Sequence, residues 1–146
     1  GFTSFTETAE PEEVMGVLRE YHGELGRAIM AHDGTIEHFA GDGVMILFNA
    51  PVPVEDHEMQ AIRMALSMRD SVAVIAEGWK KRGFALGFGV GIAARLCGEA
   101  MDGQILISPR VFSKTEMQVE VEPVGELSLK GFQRPVFAHN VLKVRS

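Results

Sequence analysis

Asp42 stands between two glycines in "TIEHFAGDGVMILFNAP", residues 35 to 51, with a run that reads as a strand on either side. A carboxylate at a hairpin tip is either a turn residue that satisfies its own backbone amides or an oxygen ligand for a hard divalent cation. Gly41 and Gly43 let the backbone turn tightly and let a bulky anion come close. Among the 14 lysines and arginines are Arg95 in "AARLC" and Lys130 before the turn glycine of "SLKGF". Taken alone, an arginine early in a helix and a lysine before a glycine are ordinary solvated surface. His22, His32, His57 and His139 show no metal-ligand spacing, and Met15, Met64 and Met68 read as core or gap fillers.

These residues need one ordinary domain to hold them, and 146 residues supply one with a real core. The apolar share of 46% and charged share of 23% are those of a soluble globular chain. No apolar run approaches the roughly 18 residues of a membrane span. A net charge of −6 argues against a general nucleic-acid binder, which would carry a basic face. An anionic substrate would then need a metal ion, a few basic residues or helix N-termini. A single cysteine, Cys97, excludes an intramolecular disulfide and fits a reducing, cytoplasmic compartment. "GFTSF" opens abruptly, so the expectation is an N-terminally truncated domain, with room upstream for a membrane or sensor segment.

Along the chain, Val14, Val17, Leu18, Tyr21, Leu25, Ala28 and Ile29 recur at helical spacing after Pro11, which suits a first helical turn. "GTIEHF" and "GVMILF" read as a hairpin joined by "AGD". Ile62, Ala65, Met68, Val72, Ile75, Ala76 and Trp79 predict a second long helix from Asp56 that ends near Gly83. "FALGFGVGIA" reads as a buried strand and "ARLCGEA" as a short helix. "QILISPRVF" reads as a strand turning at Ser108-Pro109 into another short helix. Two strands, about 119–129 and 136–144, close the chain. The order predicts an α+β sandwich. One junction conflicts with that reading. Strand "LGFGVGIA" runs directly into helix "ARLCGEA", although such a reversal takes about 2 to 6 connecting residues and often a capping side chain. We therefore expect a loop to be missing between about Ile92 and Arg95.

Five segments in order resemble the catalytic domain of class III adenylate and guanylate cyclases: "GFTSF", "FAGDGVMILFNAP", "AARLC", "DGQILIS" and "GELSLKGFQRPV". The resemblance implies a ferredoxin-like (βαββαβ) sandwich of mainly antiparallel sheet with helices. It also implies a homodimer with active sites at the interface. The implied reaction converts ATP to cyclic AMP and pyrophosphate by attack of the ribose 3′ hydroxyl on the α-phosphate, with two Mg²⁺ or Mn²⁺ ions per site.

On that resemblance Asp42 matches one of two metal-binding aspartates, and the other would lie three residues before Gly1, outside this chain. Gly1, Phe2 and Thr3 match the turn whose amides hold the β- and γ-phosphates at a helix start. Lys130 matches a triphosphate-contacting lysine. Arg95 matches the arginine that stabilises charge at the α-phosphate in the transition state. The asparagine that the family places four residues before this arginine is replaced by Gly91. The position that carries Lys in adenylate and Glu in guanylate cyclases is His38, which either donates to a purine or is a strand histidine without a role. Glu37 is expected on the opposite face of that strand. Other readings are a guanylate cyclase and a non-catalytic nucleotide-binding or dimerising regulatory domain. A cyclic-dinucleotide synthase of the GGDEF type fits poorly, since "AGDGVM" lacks its consecutive acids.

Overall fold

The computed structural model describes residues 2–92, 96, 99–128 and 134–145. Its elements are α1 (Phe2–Thr8), α2 (Pro11–Ala31), β1 (Thr35–Ala40), β2 (Gly43–Leu47), α3 (His57–Lys81), β3 (Val90–Ile92), β4 (Ile105–Ile107), α4 (Pro109–Thr115), β5 (Val119–Leu127) and β6 (Val136–Val144). β1 and β2 pair antiparallel as a two-stranded sheet, and a second sheet has the order β3-β4-β6-β5. Within the second sheet β3 runs parallel to β4, while β4 and β5 both run antiparallel to β6. The expected α+β architecture of mainly antiparallel strands and covering helices is therefore present.

Local chemistry explains the helix starts. Pro11 occupies the first turn of α2, and Glu10 and Glu13 form a reciprocal capping box in which the Glu13 carboxylate accepts the Glu10 N–H at 3.0 Å. Ser108 caps α4 by accepting the Val111 N–H at 3.3 Å, ahead of Pro109. The periodicity places no separate helix before Pro11, yet α1 forms there. Its Thr and Ser residues are mediocre helix formers, so packing holds it: Phe5 is buried and its ring meets Phe84 edge-on at 4.7 Å.

α3 joins both sheets. One side packs Met64, Met68 and Val72 against Leu25, Ala28 and Ile29 of α2 and against Val44 and Ile46 of β2. The other packs Met59, Ile62 and Ala65 against Ile105, Ile107, Val119 and Val141 of the larger sheet. The long strand expected from residue 84 is shorter, because only Val90–Ile92 enters the ladder. Residues before it are tied instead to the 100–104 turn. The Asp102 carboxylate accepts the Phe88 N–H at 2.8 Å, and the Gly103 N–H donates to the Phe88 carbonyl at 2.7 Å. Gly87 and Gly89 permit that approach, since a Cβ would lie 2.7 Å from Asp102 Cγ and 2.9 Å from the Ala100 carbonyl oxygen respectively. Most of the helix expected over "ARLCGEA", and the junction between Ile92 and Arg95, fall outside the described residues.

Candidate active site

Ala40 pairs with Gly43, so Gly41 and Asp42 form a two-residue hairpin loop. Gly41 has φ +60 while Asp42 keeps a negative φ, the pattern of a type II′ turn with glycine at its first position. Gly41 thus meets the conformational demand of the turn. Gly43 needs no positive φ, and its missing Cβ matters only as a contact at 3.4 Å from the Ala40 carbonyl. The Asp42 carboxylate enters no hydrogen bond or ion pair among the described residues, unlike its neighbours Glu37, His38 and Asn49. A side chain that merely closed its own turn would accept a loop amide.

Asp42 lines a cavity of about 120 Å³ together with Phe2, Val17, Leu18, Tyr21, Trp79, Leu86 and Gly87. The first turn of α1, the middle of α2, the end of α3, the hairpin tip and the segment before β3 converge there. Phe2 packs against the cluster of Phe5, Val17 and Trp79, its ring 5.9 Å from that of Phe5. Thr3 is exposed in the same first turn, and its carbonyl accepts the Thr6 hydroxyl at 2.8 Å. Both residues lie where backbone amides have no helical partner. Nothing in the sequence position of Tyr21 singles it out, since there it counts as one apolar member of a helical stripe. Burial, and secondarily the nearby Asp42 charge, push its hydroxyl up from 10.0 to about 12.

An exposed, uncommitted carboxylate is a suitable single ligand for a hard divalent ion. Among the described residues, however, no three His, Cys, Asp or Glu side chains gather as a metal site. Asp42 thus fits as one ligand of a centre that these residues do not complete. His38 lies on β1 opposite Met45, half-exposed, with its Nδ1 against the Glu37 carboxylate. That contact corrects the expected placement of Glu37 on the opposite face. Ile36 pairs with Ile46 and His38 with Met45, which leaves Glu37 as an extra, unpaired residue in a β-bulge. Gly1, Arg95 and Lys130 lie outside the described residues.

The fold and this hairpin are those of class III nucleotidyl cyclase domains. The adenylyl cyclase CyaB from P. aeruginosa superposes with a TM-score of 0.86 at 27% identity, covering 99% of this chain and 90% of that one. The guanylyl cyclase Cya2 gives a TM-score of 0.87 at 28% identity, covering 100% and 88%. Adenylate cyclase 1 of Rhizobium meliloti is 28% identical over 98% of this chain, which spans only 26% of that protein. The chain belongs to the adenylate and guanylate cyclase catalytic domain family, whose sequence model matches residues 1–91. The match ends beside the Ile92 junction.

Proposed function

We propose that the protein cyclises ATP to cyclic AMP and pyrophosphate. The observation that carries this reading is the uncommitted Asp42 carboxylate, held at a glycine-made hairpin tip and facing the first turn of α1 across one cavity. The reaction makes a bond between the ribose 3′ oxygen and the α-phosphorus, breaks the bond to the β-phosphate oxygen, and releases the hydroxyl proton. Two bound Mg²⁺ or Mn²⁺ ions would supply acidity to that hydroxyl and charge neutralisation to the departing pyrophosphate. Asp42 contributes one oxygen ligand to them. The backbone amides of Gly1, Phe2 and Thr3 receive the β- and γ-phosphates, as the free N–H groups of a helix start suit an anion. Lys130 contacts the triphosphate and Arg95 stabilises charge at the α-phosphate; both assignments rest on the segments "SLKGF" and "AARLC".

The sites are shared between two copies of the chain. Supporting this, β2 turns Val44 and Ile46 toward the helices and leaves Met45 and Leu47 outward and exposed, 50% and 39%. His38, paired with Met45, shares that outward face, where it meets the purine. Among the described residues no helix is long and apolar enough to cross a membrane. The test is to incubate the full-length protein with ATP or GTP and Mn²⁺ and quantify cyclic nucleotide and pyrophosphate. Equimolar cyclic AMP and pyrophosphate are expected from ATP. Absence of any cyclic product would favour a regulatory, non-catalytic role.

A further inference from the structure

We propose that Glu37 is a positioning residue for base recognition: it fixes His38 as a hydrogen-bond acceptor toward an N–H group on the purine edge. This rests on the reading of His38 as the base-facing residue of a cyclase. In a regular strand the side chain of Glu37 would turn to the helix-facing side, away from its neighbour. The bulge at Glu37 interrupts that alternation and brings its carboxylate onto Nδ1 of His38.

The consequence follows from donor and acceptor chemistry. An ionised carboxylate can only accept, so the proton of a neutral imidazole must sit on Nδ1. Nε2 is then left with a lone pair. It forms no hydrogen bond among the described residues, and the ring is half-exposed on the outward face of the hairpin. Opposite it on β2 stands Met45, which carries no polar hydrogen to compete for that lone pair. An acceptor at this point matches the 6-amino group of adenine. It also matches the N1–H of guanine, so the pair selects purines that offer an N–H donor and discriminates weakly between ATP and GTP. Without Glu37 no other described side chain holds the proton on Nδ1, and Nε2–H becomes a donor instead.

Two measurements on the full-length protein test this. The first reads the ring nitrogens of His38 by ¹⁵N NMR at a pH where the ring is neutral. Wild type should show protonated Nδ1 and bare Nε2, and Glu37→Ala should shift the proton toward Nε2. A wild-type ring protonated at Nε2 would overturn the inference whether or not the protein turns over nucleotide. The second compares kcat/KM for ATP with that for purine riboside triphosphate, which lacks the 6-amino group. One lost hydrogen bond should cost wild type about tenfold with the analogue. That penalty should vanish in Glu37→Ala and return in Glu37→Asp, whose shorter carboxylate can still accept from Nδ1. An equal penalty in wild type and Glu37→Ala would refute the role of Glu37. A protein that cyclises neither ATP nor GTP would instead defeat the functional reading, leaving the ring-nitrogen result to decide the pair. Both side chains are exposed, so the variants should fold, which circular dichroism checks.

Discussion

Asp42 carries the strongest functional expectation of any single residue. Asp42→Asn keeps the shape of the turn, since Gly41 supplies the positive φ. It replaces a carboxylate, the kind of oxygen donor a hard divalent ion prefers, by a neutral amide. We expect native circular dichroism and a loss of cyclic nucleotide production of roughly 100-fold or more; near-wild-type turnover would return Asp42 to a plain turn residue. Tyr21 gives a second expectation, this time in stability. Its hydroxyl titrates near 12 in the folded chain against 10.0 for an unperturbed tyrosine, so the folded state holds the proton more tightly. Its contribution is complete below the unfolded pKa and is lost as pH rises through the folded one, a fall of about 2 to 3 kcal/mol. Chemical denaturation between about pH 9 and pH 12 should show that decline. In Asp42→Asn, which removes the second cause and leaves burial, the decline should be smaller. Asp42 is legible in the sequence because two glycines announce a turn around a carboxylate. Tyr21 and Glu37 are not, because the first acts across elements distant in sequence and the second depends on a bulge that alternation alone does not reveal.

At the scale of elements, periodicity locates α2 and α3, whose repeating apolar faces are buried, while the turn signal "AGD" locates the β1–β2 hairpin, whose first strand is exposed throughout. Periodicity fails where the structure relies on something other than a repeat. α1 is held by Phe5 against Phe84. The run before β3 looks like strand by composition but is fastened to the 100–104 turn by Asp102 and by two bare glycine backbones. Gly89→Ala should therefore destabilise the fold by about 1 to 3 kcal/mol in denaturant titration, because its new methyl would meet the Ala100 and Met101 carbonyl oxygens, both 2.9 Å away. An unchanged midpoint would show that this segment yields easily. Ile62, 0% exposed where α3 meets the larger sheet, should cost about 2 to 5 kcal/mol when cut to alanine. The Ile92–Arg95 junction makes a chemical prediction as well. Peptide mapping of the full-length protein should find additional residues there, given that a strand-to-helix reversal takes about 2 to 6; a fragment reading directly through "GIAARLC" would dismiss the missing loop.

For the molecule as a whole, the ordered set of motifs makes the family legible before any geometry, and the matching folds of adenylyl and guanylyl cyclases agree with it. What one chain cannot display is an active site divided between copies. If Asp42 of one chain and Arg95 of its partner serve the same site, Asp42→Ala and Arg95→Ala homodimers are each nearly inactive, since every site in them lacks one component. A mixed dimer concentrates both lesions in one site and leaves the other whole, as two-fold symmetry requires. Random exchange makes half the dimers mixed with one good site each, so about a quarter of wild-type activity should return. The decisive measurement is cyclic AMP formation from ATP after the two purified variants of the full-length protein are mixed and allowed to exchange, with heterodimers verified by differential tags. Recovery toward a quarter of wild-type activity is the predicted result. Verified heterodimers as inactive as either parent would contradict the shared-site cyclase.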